Sequence, residues 1–138
     1  MYLEKLTEQV LGACFEVSNE LGIGFVESVY EKALLIALTN RGLKAESQVP
    51  VKVFFRKQAV GEFFPDIIVE DKLIVELKAV RGLAVEHVAQ ILNYLRATGK
   101  EVGLLVNFGT QKLEYRRFNN RTESFKATLQ GPASLSSL

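Results

Sequence analysis

The sequence predicts an α/β fold, a mixed sheet with helices packed on it. Two stretches of helical periodicity open the chain. The apolar period then shortens to two, and a third helical stretch sets the last two strands apart from the others.

Taken in order, Leu3, Leu6, Val10, Ala13, Cys14, Val17 and Leu21 recur at helical spacing and form one apolar stripe, which Gly22 and Gly24 end. A second helix runs from about Val26 to Arg41, with Tyr30, Ala33, Leu34, Ala37 and Leu38 inward and Gly42 as its stop. Val49, Val51, Val53 and Phe55 then alternate with Gln48, Lys52 and Arg56, the pattern of a half-buried strand. Pro50 places that strand at an edge, or marks its start. Lys57–Gly61 reads as a turn into a second strand, Glu62–Val69, and Glu70-Asp71-Lys72 as a short link to a third, Leu73–Val80. The helical period returns over Val85–Thr98, with Val88, Ile91, Leu92 and Leu95 inward and Gly99 ending it. Strands follow at Glu101–Phe108 and Lys112–Phe118. The expected order is ααβββαββ, with residues 1–118 as one domain. Residues 119–138, polar and then small, are expected to form a flexible tail.

Composition narrows the function. A chain of 138 residues with 48% apolar and 24% charged residues is one soluble domain's worth. Its longest apolar runs, as at Gly103–Val106, fall far short of the roughly 20 residues that span a bilayer. No basic segment followed by an apolar run opens the chain, so a cytoplasmic location without membrane association is expected. Cys14 is the one cysteine, which excludes an internal disulfide, and no Cys/His spacing points to structural zinc. The net charge of +1 excludes uniform attraction to nucleic acid, so any such binding must come from a local patch. One basic stretch exists: Lys112, Arg116, Arg117, Arg121 and Lys126 stand against Glu114 and Glu123.

Three polar features do not fit packing alone. Glu76 and Lys78 sit in Leu73–Val80, a run apolar enough to be covered on both faces. Two residues apart on a strand, they share a face, about 7 Å apart. If Glu70–Lys72 forms the turn, Val69 faces Leu73 and Asp66 faces Glu76, with Cβ atoms roughly 5 Å apart. Two carboxylates so close raise each other's pKa, and a hard divalent cation between them resolves the repulsion. The same residues also read as a surface ion pair with a carboxylate beside a turn. On the third helix, His87, Gln90 and Tyr94 stack beside the apolar stripe. That ridge could contact phosphate, or could be a solvated flank. Glu27 falls within the apolar sector of the second helix, either as a helix-start charge or as a member of a shared polar site. Glu16 lies at the edge of the first helix's stripe.

Together these residues resemble the PD-(D/E)XK nuclease superfamily, and within it the GxxExxY family. Gly24-Phe25-Val26-Glu27-Ser28-Val29-Tyr30 is similar to the family signature, Pro65-Asp66 with Glu76-Leu77-Lys78 to the nuclease motif, and Gln90-Ile91-Leu92-Asn93-Tyr94 to the QxxxY element of RecB-type members. Ser18 departs from the pattern, since related sequences often carry histidine there. The resemblance implies a restriction-endonuclease-like αβββαβ core with an extra N-terminal helix and a C-terminal strand. It also implies metal-dependent hydrolysis of phosphodiesters. Asp66, Glu76 and the Leu77 main-chain carbonyl would hold Mg²⁺ or Mn²⁺, and Glu27 would bind a second ion or its water. Lys78 would position water or stabilise charge, Gln90 and Tyr94 would orient phosphate or lysine, and His87 would support them. The implied partner is nucleic acid, DNA ahead of RNA. The alternatives are a catalytically silent module of the same fold and a homodimer or larger complex.

Overall fold

Glycine and proline set most of the element boundaries. In the computed structural model, which describes residues 3–120, α1 (Glu4–Leu21) stops where Gly22 takes φ 69° and donates its N–H to the Ser18 carbonyl. A short loop containing Gly24 at φ 114° leads into α2 (Glu27–Asn40). Both angles lie in the left-handed region that glycine enters without a steric cost. Strands β1 (Ala45–Ser47), β2 (Val51–Phe55), β3 (Gln58–Phe63), β4 (Ile67–Val69) and β5 (Leu73–Lys78) follow. Then come α3 (Val85–Thr98), β6 (Val102–Asn107) and β7 (Glu114–Asn119).

The three helices agree with expectation, and α3 does so to the residue. The strands differ: five precede α3 where three were expected. The stretch read as Val49–Phe55 begins earlier, as β1, and is broken where Gln48 turns left-handed (φ 54°) ahead of Pro50. The stretch read as Glu62–Val69 is divided at Phe64–Asp66 because Pro65 has no N–H to give to a ladder. The turn expected over Lys57–Gly61 is tighter. Arg56 (φ 51°) and Lys57 (φ 65°) alone reverse the chain, with both central residues left-handed as hairpin twist demands. Gly61 lies in β3, paired with Val53, and a bulge follows between Val53 and Phe54.

Five strands form one sheet in the order β1-β4-β5-β6-β7, while β2 and β3 form a separate hairpin. Among the described residues, only β5 and β6 run parallel; α3 makes the crossover between them. Side-chain alternation sends Ile67, Val69, Leu73, Val75, Leu77, Leu104 and Val106 to one face, where α1 and α2 cover them. Ile68, Ile74, Leu105 and Phe118 take the other face, under Val88, Ile91 and Leu95 of α3. Gly103 is on that second face. A Cβ there would stand 2.9 Å from Ile91 Cδ1 and 3.2 Å from Leu95 Cδ1, so the helix rests close on β6.

Asn119 closes β7, and the Asn120 amide donates to the carbonyls of Leu95 and Lys100. Residues 121–138 of the expected tail lie outside the described residues, with Arg121, Glu123 and Lys126 of the basic stretch. Among the described residues, no helix is long and apolar enough to cross a membrane.

Candidate active site

The alternation that builds the core also gathers polar groups. Asp66 precedes β4 with the parity of Ile68, and Glu76 and Lys78 share the parity of Ile74, so all three belong to the face that α3 covers. The β4–β5 ladder pairs Val69 with Leu73 and Ile67 with Val75. One step beyond it, side chains replace backbone bonds. The Asp66 N–H donates to Glu76 Oε1 at 2.9 Å, and the Leu77 N–H donates to Asp66 Oδ2 at 2.8 Å. Glu76 is 3% exposed, so it is no surface ion-pair partner. Burial, and after it the charge of Asp66, pushes its carboxyl up to about 8. Asp66 is raised too, by burial, against the opposing pull of the Leu77 N–H and the Lys78 charge.

Lys78 is held from above. Its Nζ donates to Gln90 Oε1 at 3.0 Å, and Gln90 Nε2 donates to the Tyr94 hydroxyl oxygen at 2.9 Å. These two bonds fix the orientation of the Gln90 amide. Tyr94 is stacked in turn on Phe63 of β3, centroids 4.2 Å apart and planes 9° from parallel. Its hydroxyl is raised by burial and by the nearby Glu76 and Asp66 charges.

Glu27 takes the helix-start position, one of its two readings: it is exposed in the first turn of α2, and no side-chain bond caps that helix. Partial burial raises its carboxyl; Lys78 opposes the rise, Asp66 adds to it, and His87 opposes it. Tyr30, one turn on, is fully buried and braces the loop before it. Its hydroxyl donates to the Gly22 carbonyl at 2.6 Å and accepts from the Phe25 N–H at 3.3 Å, while its ring stacks on Phe108 at 4.9 Å. His87 is apart from the Gln90–Tyr94 bond: its Nδ1 accepts from the Ala84 N–H and closes the start of α3.

Three contributors escaped the sequence reading. Glu31, one turn after Glu27, is raised by burial and by Asp66, and accepts a hydrogen bond from Gln48 at 3.3 Å. Gln48 also donates its backbone N–H to the Asp66 carbonyl. Asn107, fully buried at the end of β6, makes four side-chain bonds: to Val80 N, Val80 O, Gly109 N and Glu114 Oε1. It ties the chain just past Lys78 to β6 and β7. The spacing of Glu31 from Glu27 and the polar end of an apolar strand at Asn107 were both visible signals.

As a cation site, the donor set is chemically apt and small. Lys78 directs its carbonyl at β6, accepting from Phe108 N–H, so the backbone groups of Leu77 face the opposite side, toward Asp66. Two carboxylates and a carbonyl are the hard oxygen donors that Mg²⁺ and Mn²⁺ accept. Among the described residues, no group of three His, Cys, Asp or Glu side chains is gathered to hold an ion. The fit for one ion rests on Asp66, Glu76 and the Leu77 carbonyl, with Glu27 near enough for its carboxyl to feel the charges of Lys78 and Asp66.

One solved structure shares this architecture. The crystal structure of SSO0001 superposes with a TM-score of 0.56 at 18% identity, over 96% of this chain and 70% of that one. An alkaline exonuclease (LHK-Exo) from Laribacter hongkongensis gives a TM-score of 0.42 at 13% identity, over 72% of this chain and 57% of the other. No curated protein matches the chain at a significant level. The family model described as the PD-(D/E)XK nuclease superfamily matches residues 4–118. With that match over most of its length, the chain belongs to the PD-(D/E)XK nuclease superfamily.

Proposed function

We propose that the protein is a divalent-cation-dependent nuclease of the GxxExxY type, hydrolysing phosphodiester bonds of nucleic acid, DNA ahead of RNA. Family membership supports the nuclease class, and nucleases of this superfamily generally use divalent metals. The observation that carries the residue assignment is the Asp66–Glu76 pair. A buried glutamate and a half-buried aspartate, each tied to the other's strand on one sheet face, are poorly able to ionise together, and a cation is the counter-charge that lets them.

Asp66, Glu76 and the Leu77 carbonyl would hold Mg²⁺ or Mn²⁺. Bound there, a divalent ion supplies charge neutralisation of the phosphate and acidification of water. Lys78 uses one ammonium proton on Gln90 and has two more donors for a non-bridging phosphate oxygen or the attacking water. Gln90 and Tyr94 hold that ammonium in place, and Glu27 adds negative charge at the mouth of the site. Water adds to phosphorus, the bridging P–O bond breaks, and the departing oxygen leaves as a hydroxyl.

The test is incubation of the purified protein with supercoiled, linear and single-stranded DNA, and with RNA, in Mg²⁺ or Mn²⁺. Cleavage is expected, with loss in Asp66→Ala and Lys78→Ala proteins. Cleavage that persists in both variants points to a contaminant. No cleavage, with no calorimetric signal for Mn²⁺, favours a catalytically silent binding module.

A further inference from the structure

β1 and β4 are antiparallel neighbours, with Ser47 paired to Ile67, and a short turn would join them. The chain instead makes an excursion over residues 48–66, most of it the β2–β3 hairpin, which belongs to neither the sheet nor the main core. Two-stranded hairpins are marginal alone in water, and this one is held by Phe63 stacked on Tyr94. Between hairpin and α3 runs an open cleft of about 540 Å³ whose lining includes Lys52, Phe54, Phe63, Asn93, Tyr94 and Arg96. Phe54 is 61% exposed, and beside it Phe55 is 60% exposed with the Arg56 guanidinium 4.9 Å above its ring. Over residues 51–63 Lys52, Arg56 and Lys57 face a single carboxylate, Glu62, although the chain as a whole is nearly neutral.

We propose that this cleft binds single-stranded nucleic acid and feeds it to the Asp66–Glu76–Lys78 site. The proposal rests on the nuclease reading and specifies its substrate as an unpaired strand. Exposed phenyl rings interleaved with cations are the chemistry of a single-strand track: rings stack on bases and cations follow phosphates. A duplex hides its base faces within its own stack, so it offers Phe54 nothing to stack on. The cleft adjoins the site at Tyr94, which lines the cleft and is linked to Lys78 through Gln90. The bulge between Val53 and Phe54 twists the hairpin at the point where its ring is presented.

The test is fluorescence anisotropy of the full chain with a short labelled oligothymidylate in EDTA, where no cleavage occurs. Single strand is expected to bind more tightly than duplex of the same length. Phe54→Ala is expected to weaken binding about tenfold while Phe54→Trp retains it. Lys52→Ala is expected to lower the slope of log affinity against log salt by about 0.7. No binding of the single strand, preference for duplex, or unchanged affinity in both alanine variants overturns the proposal. Cleavage of single strands with KM unchanged in Phe54→Ala overturns the cleft and leaves the nuclease standing. Binding through Phe54 with no cleavage in Mg²⁺ or Mn²⁺ supports the cleft and overturns the nuclease.

Discussion

The Glu76 carboxylate accepts the backbone N–H of Asp66, and the Asp66 carboxylate accepts the N–H of Leu77, so each acid is tied to the opposite strand. The two side chains stand in for the ladder bonds that Pro65 interrupts. They close the β4–β5 hairpin end and, in the same act, place two carboxylates on one face.

That pairing predicts a pH dependence. The Glu76 carboxyl rises on folding from an ordinary value of 4.5 to about 8. The native state therefore binds this proton more tightly than the unfolded chain does. The stabilisation is complete below pH 4.5 and is lost as pH climbs through about 8. Urea unfolding in EDTA at a series of pH values is expected to show stability from this group declining across that window. Glu76→Gln should flatten the decline, and Mn²⁺ should raise Tm more at the alkaline end. An unchanged slope in Glu76→Gln would remove the basis for the assignment.

Gln90 is expected to act through Lys78. Gln90→Ala leaves the lysine present and unheld, so kcat is expected to fall about tenfold with KM unchanged, against a fall of about a hundredfold or more in Lys78→Ala. Steady-state cleavage assays on both proteins decide it. Equal losses in the two would show the amide to be needed for more than aiming the ammonium.

Asn107 carries a stability prediction. Asn107→Ala leaves the half-buried N–H groups of Val80 and Gly109 and the Val80 carbonyl without these partners, and about 2 kcal/mol of unfolding free energy is expected to be lost. Asn107→Asp keeps the size but turns an acceptor on the Val80 carbonyl and on Glu114, and is expected to be no better. Chemical denaturation measures both; a loss near zero in Asn107→Ala would contradict the four-bond description.

Tyr30 separates packing from tethering. Tyr30→Phe retains the stack on Phe108 and deletes both hydroxyl bonds, at an expected cost of about 1–2 kcal/mol. Hydrogen exchange at the Phe25 amide is expected to quicken in that protein. Exchange unchanged at Phe25 would mean the loop is braced by something other than the phenol.

Much of the site was legible because strand parity and turn length are local quantities. Three polar residues, Glu70-Asp71-Lys72, fix the turn, and counting from it sets Asp66 opposite Glu76. α3 was legible to the residue because its apolar stripe ends in a glycine at φ 71°. β1 escaped because Ala45-Glu46-Ser47 is too short to show a period. The hairpin turn escaped because Arg56 and Lys57 take left-handed angles that their residue types do not advertise. Glu27 was left between two readings because a helical wheel gives an angle around the axis, whereas its exposure is set by being at the helix end. The stack of Phe63 on Tyr94 is a meeting of distant segments, which periodicity cannot report.

Gly103 carries no chemistry, yet its bare Cα fixes the height at which α3 sits above the strands. A side chain there would act as a shim, lifting Gln90 and Tyr94 away from the ammonium beneath them. Such a protein would retain every candidate ligand and lose the clearance on which their cooperation depends. The tolerance of this site is thus written partly in a position that touches none of its reactive groups.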